Sequence, residues 1–310
     1  ISVFSSVFAV YSYLKVPIDL TSEVHDIAST HICPSGKYLF LISLREAKTM
    51  KHFCGGTLIK PNLVLTAAHC LISYESAPHS VIAEFGTIDL KKVGMQRRTA
   101  SALYIHGNFY PTNFVNDIAL ILLKSDFDLK FPNILVKLPT DEIQDLTEVC
   151  KQGLLYGWVN KGEELSHRMN FKSLLKVNPI PSCAEVTIMS KNSCAVKIND
   201  EFDESFNCAL RNVHDKCQED SGGPLFCGDV QYGIMLSDHE CTQKSKLIFY
   251  TRVDKYKGYI NYIIQNFIVE KEKVVRSDGI STFNTSLNKL VNIFMVCVIV
   301  ILKYTVECSY

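Results

Sequence analysis

Between residues 37 and 123 the chain repeats one pattern: a short apolar run rich in β-branched and aromatic residues, followed by turn formers. The runs are Lys37–Leu44, Gly56–Ile59, Leu63–Thr66, Ser80–Phe85 and Asp117–Leu123. Residues of this kind at this length favour strands. Many short strands at such spacing point to an all-β barrel or sandwich. One helix is expected at Tyr256–Ile268, where Tyr259, Ile260, Ile263, Ile264 and Phe267 recur at helical spacing. No internal repeat or low-complexity tract interrupts the pattern.

With 310 residues and 47% hydrophobic content, the chain can bury one large core or two modest ones. The formal net charge is zero and the pI about 7.2, so nothing suggests the basic surface that nucleic acid or an anionic membrane selects. Twelve cysteines occur with no C-x-x-C pair and no histidine pair at zinc-ligand spacing, which points to disulfides and an oxidising compartment. Of the nine histidines, all but His69 stand in polar or mixed surroundings and are expected on the surface. No metal site and no cofactor are expected.

Three segments carry candidate chemistry. Cys217–Leu225, reading CQEDSGGPL, presents Ser221 between an acid and two glycines, a composition that a plain turn would also use. Thr66–Cys70, reading TAAHC, offers His69 as a base. Asn116–Leu120, reading NDIAL, offers Asp117 ahead of an apolar run, which marks it as a buried acid. Their order is His, Asp, Ser.

In these segments the chain resembles the chymotrypsin/trypsin family of serine endopeptidases, from about Ile27 to about Val269. The resemblance implies two antiparallel β-barrels, about 27–138 and 139–255 with a seam near Leu138–Thr140. It also implies an active site in the cleft between them and a closing helix over 256–268. It implies Ser221 as nucleophile, His69 as its base and Asp117 as the group that orients and stabilises the imidazole. The oxyanion hole would use backbone N–H groups of Ser221 and of the residue two before it. That residue is Glu219 here and glycine in the family; losing one such donor costs about 10²–10³ in turnover. Family bridges are Cys54–Cys70, Cys150–Cys227 and Cys217–Cys241. Cys208 pairs with either Cys183 or Cys194, and the unused one is left for Cys33.

The same resemblance places Asp215 at the floor of a substrate pocket, where it would attract Arg or Lys, with Lys216 beside it to neutralise it. Leu236, Ser237 and Asp238 stand at wall positions, and Ile248 replaces a usual glycine where it could obstruct a long side chain. Activation in the family frees an N-terminus that pairs with the acid before the nucleophile, here Asp220. The matching start is Ile27, but Asp26 precedes it and no Lys or Arg lies between Lys15 and Lys37.

Outside the 27–270 peptidase domain, residues 1–26 read as a signal-peptide remnant and pro-segment. Residues 271–310 read as a polar spacer and hydrophobic tail. The apolar stretch Leu290–Leu302 would cover roughly 20 Å against a hydrocarbon core of about 30 Å, so a span is short and membrane attachment is one reading among several. Asn284-Thr285-Ser286 is a glycosylation sequon, fitting a glycoprotein. The expectation is a monomeric, secreted or cell-surface serine endopeptidase acting on polypeptides and open to protease inhibitors. The competing class is a catalytically impaired homologue that acts as a binding or decoy protein.

Overall fold

A computed structural model describes residues 31–32, 39–86, 96–129, 134–158, 160–161, 176–177, 181–198, 203–211, 221–236 and 247–266. Its contacts divide the chain into Ile1–Lys255 and Tyr256–Tyr310. In the first unit, β1 (His31–Ile32) is followed by β2 (Leu41–Glu46), β3 (His52–Lys60), β4 (Leu63–Thr66), β5 (Val81–Phe85), β6 (Gln96–Ile105) and β7 (Ala119–Leu123). Strands β2 to β7 close into a barrel in the order β2-β3-β4-β7-β6-β5. Every pairing in it is antiparallel.

Of the expected runs, Leu63–Thr66 coincides with β4, and Gly56–Ile59 lies inside β3. The first run starts later than expected, at Leu41, and the last starts at Ala119, leaving Asp117 and Ile118 in the loop before β7. Strand β6 escaped the apolar-run criterion. It carries Gln96, Arg97, Arg98, Thr99 and Ser101, and only Ala100 in it is buried.

The second half continues with β8 (Gln152–Gly157), β9 (Asn160–Lys161), β10 (Lys176–Val177), β11 (Ser182–Ile188), α1 (Lys191–Ile198), β12 (Phe206–Arg211), β13 (Pro224–Cys227), β14 (Val230–Met235) and β15 (Leu247–Arg252). Strands β11-β12-β15-β14-β13-β8 form a second six-stranded ring, closed by the β11–β8 pairing, with β1 appended to β11. Its core contains Leu155, Val186, Ile188, Leu225, Met235, Ile248 and Tyr250. Burial pushes the Tyr250 phenol well above its ordinary value. The protein is therefore all-β, two antiparallel barrels with a C-terminal helix. In the second unit residues 257–266 are helical and bury Ile260 and Ile263. Of the rest of the expected helix, Tyr256 ends a 3-10 turn, Val253–Tyr256, and residues 267 and 268 fall outside the described residues.

Disulfides join Cys54 to Cys70, Cys150 to Cys227, and Cys194 to Cys208. Cys208 thus takes Cys194, which the helix α1 brings over β12, while Cys183 enters a different disulfide whose partner is outside the described residues. The Cys217–Cys241 expectation, residues 1–26 and the 271–310 tail lie outside the described residues as well. Among the described residues no helix is long and apolar enough to cross a membrane.

Strands β2, β5 and β6 carry an ion trio. Glu84, 1% exposed, meets Arg45 Nη2 at 2.9 Å and Arg97 Nε at 2.5 Å. Arg45 is itself buried and donates to Met50 O at 2.7 Å. Removing one member of a buried pair leaves the other charge uncompensated, which typically costs about 3–5 kcal/mol. Arg97 is about half exposed, and exposed pairs contribute about 0–1 kcal/mol. Chemical denaturation of Glu84→Gln should therefore show a loss of about 3–5 kcal/mol, and Arg97→Ala about 1 kcal/mol. Equal losses would mean that burial does not set the cost.

Candidate active site

The pairing of β4 with β7 determines where the first two candidates meet. Thr66 opposes Ala119 in this antiparallel ladder. Continuing past the strand ends, residues 67–69 therefore face residues 116–118. His69 N donates to Asp117 Oδ1 at 2.7 Å, and His69 Nδ1 lies 2.6 Å from Asp117 Oδ2. Asp117 has no exposed surface, whereas the His69 side chain is 17% exposed. A carboxylate only accepts, so Nδ1 carries the proton and Nε2 is left with its lone pair. This is the tautomer a general base requires. The residues after His69 turn back at once, with Leu71 N and Ile72 N both donating to Ala68 O. The Cys54–Cys70 disulfide fastens that turn to β3.

Ser221 sits in the turn before β13, in the second barrel. Its carbonyl accepts from Gly55 N at 2.8 Å, a bond to β3 of the first barrel. Gly222 follows with φ +80. A Cβ there would lie 2.4 Å from Thr66 Oγ1 and 2.6 Å from Gly55 O. Glycine is required for both the backbone conformation and the close approach. The turn bearing Ser221 thus rests directly on the residues that lead to His69.

Further cross-barrel bonds hold this junction. Thr251 Oγ1 donates to Asp117 O at 2.9 Å, Asn116 N to Ser205 Oγ at 3.3 Å, and Thr57 Oγ1 to Gln231 Oε1 at 2.7 Å. Phe114 stands edge-on to the His69 ring, with centroids 5.6 Å apart and planes at 89°. Sequence reasoning missed Thr251, Ser205, Phe114 and Gly55. Their partners lie far along the chain, 134 residues away for Thr251, so no local signal could reveal them.

Leu236 and Ile248 are both buried, and Ile248, 3% exposed, belongs to the same apolar cluster as Met235 and Tyr250. Asp215, Lys216, Glu219, Asp220, Ser237, Asp238 and Ile27 lie outside the described residues. One histidine differs from expectation. His52 is 8% exposed, not superficial; its Nδ1 lies 2.8 Å from Ser43 Oγ, and its ring packs edge-on to Trp158. Hydrogen bonding and ring packing compensate the loss of water. The one cluster of potential metal ligands among the described residues is Cys54, His69 and Cys70. Its two sulfurs are joined to each other, so it offers no thiolate.

Alanine at Gly222 would meet both strain and overlap, whereas a Cβ at Gly228, φ +60, would meet nothing within 4 Å. Thermal and denaturant unfolding should therefore show Gly222→Ala losing about 2 kcal/mol or more and Gly228→Ala about 1 kcal/mol. A neutral Gly222→Ala would remove the close approach from the account.

The Trypsin family profile matches residues 27–260. Cationic trypsin-3 of Rattus norvegicus is 30% identical over 260 residues, covering 83% of this chain and 97% of that protein. Trypsin of Sus scrofa is 31% identical over 246 residues, 79% of this chain and 98% of the relative. Chymotrypsin-2 of Vespa crabro is 31% identical over 231 residues, 73% and 94% of the two chains. The matched span takes in both barrels and the junction where His69, Asp117 and Ser221 are held, and on that ground the chain belongs to the trypsin family of serine proteases.

Proposed function

We propose that this chain is an active serine endopeptidase in which Ser221 is the nucleophile, His69 the general base and Asp117 the orienting acid. The two-point hydrogen bond from His69 to the buried Asp117 carries the reading. Serine is barely ionised at neutral pH, so its Oγ needs a base to attack a peptide carbonyl. His69 Nε2 takes the Ser221 proton as the C–O bond forms and then gives it to the leaving amine as the C–N bond breaks. Water attacks the resulting acyl-enzyme with the same histidine as base, which releases the acid and restores Ser221. Backbone N–H groups of Glu219 and Ser221 hold the oxyanion, and this role is open to Glu219 because the donor is main chain. A peptidase domain over 27–270, activated by an Ile27 ammonium that pairs with Asp220, completes the proposal. Release at Ile27 needs cleavage after Asp26, so the activating protease would not be one specific for Lys or Arg. Three disulfides, each tying a strand to a loop or to α1, support an extracellular setting, with polypeptides as substrates and protease inhibitors as partners.

Substrate preference follows from two opposed features. Asp215 would draw a basic side chain, and Ile248, packed with Met235 and Tyr250, would fill the space that the side chain needs. Cleavage after Arg or Lys is therefore weak in the parent chain.

A fluorophosphonate probe applied to fully processed protein should label it, and Ser221→Ala should abolish the label. Labelling that persists in the alanine variant, or none in the parent, would refute the enzyme reading. Ile248→Gly should raise kcat/KM for cleavage after Arg at least tenfold, since even one methylene in a pocket shifts discrimination by about 10–200-fold. An unchanged preference in a folded variant would place the obstruction elsewhere.

A further inference from the structure

The segment ahead of Asp117 holds two non-glycine residues in the left-handed region, Phe114 and Asn116, each with φ 58. Asparagine tolerates that conformation, but for a bulky aromatic it is an outlier. Such strain persists only where the surroundings over-determine it, and it collects at functional sites. The surroundings here do so. Tyr110 N donates to Val115 O at 3.0 Å across an antiparallel bridge, and Asn113 Oδ1 accepts from Val115 N at 3.2 Å. Asn116 donates through Nδ2 to Asn108 O at 2.8 Å and through its backbone N to Ser205 Oγ. Asn113, one residue earlier, shows that the loop already uses the residue type that would relieve position 114.

The bracket places the Phe114 ring perpendicular to the His69 imidazole at 5.6 Å. Asp117 holds that imidazole along its Nδ1 edge only, and 17% of the side chain reaches solvent. At the opposite edge Nε2 lies 3.6 Å from Cys70 Sγ, a disulfide sulfur with no proton to donate, so that contact restrains the ring only weakly. An apolar wall beside the ring limits rotation and shields the Nδ1–H bond from water.

We propose that Phe114 is a positioning residue for His69, kept in a strained backbone conformation so that its ring confines the imidazole against Asp117. The inference rests on the hydrolytic reading of Ser221 and His69 for its kinetic consequence. Its physical content, a confined imidazole, does not.

Phe114→Asn and Phe114→Gly remove the ring and accept the left-handed conformation; Phe114→Tyr keeps the ring. On the full, processed chain three quantities are measured: the thermal midpoint, the rate of fluorophosphonate labelling at Ser221, and the proton NMR signal of His69 Nδ1–H. The Asn and Gly variants should melt within about 3 °C of the parent. They should nonetheless label about tenfold more slowly, or worse, because small misplacements of a catalytic group are costly. Their Nδ1–H signal should broaden through exchange with water, while the Tyr variant keeps the parental rate and signal. The proposal is overturned by parental labelling and a sharp Nδ1–H signal in the Asn and Gly variants. It is equally overturned by slower labelling that is fully explained by a lower midpoint, or by a loss confined to KM for extended peptides, which would make Phe114 a wall for substrate. If the parent chain does not label, the hydrolase reading fails by itself, and the Nδ1–H signal alone decides the role of Phe114.

Discussion

A carboxylate with no exposed surface cannot stay ionised without hydrogen bonds, because removing it from water costs several kcal/mol even after the protein relaxes. For Asp117, the donors to its carboxylate among the described residues both come from His69, one from the main chain and one from the ring. The meeting of the two residues follows from the β4–β7 register, in which Thr66 opposes Ala119. Both faces of these strands are buried, so the register is fixed by the ladder itself and by the close fit of Leu63, Leu65, Leu120 and Ile121 in the core, and that register places the pair. Core packing and the alignment of a proton acceptor are thus one constraint in the first barrel.

The second barrel supplies what the first cannot. Ser221 arrives from the far end of the chain on the turn before β13, and its carbonyl bond to Gly55 N docks that turn on β3. Gly222 permits the approach, Thr251 holds the backbone of Asp117, and Ser205 holds Asn116. These groups occupy loops and strand ends supported by two closed sheets. Such placement gives precise positions to residues that the ladders themselves could not present to a substrate.

How much of this was legible in the sequence depended on whether the signal was local. Fully apolar strands such as β4 and β7 announced themselves because both their faces are buried. Strand β6 did not, since Arg97 and Arg98 put charge on both its faces and only Ala100 in it is buried. The burial of Asp117 was readable from the Ile118–Leu122 run beside it, whereas the burial of His52 was not. What satisfies His52 is Ser43 on the neighbouring strand and Trp158 from the other half of the chain. The choice of Cys194 over Cys183 as partner for Cys208 likewise waited on the placement of α1 beside β12.

Composition and spacing by themselves determined that this is a disulfide-bearing all-β chain, and the three motifs determined its family and the residues on which its chemistry would depend. Those properties are written in consecutive residues, as alternating runs, cysteine usage and short motifs. Only the tertiary structure decided that His69 bonds the Asp117 carboxylate through both its main chain and its ring, that Ser221 is tied to Gly55, and that Phe114 is held in a strained conformation against the imidazole. Each of these joins atoms whose residues are separated by strands or by a whole barrel. No local propensity encodes such a distance; it appears when the ladders close and bring the loops together.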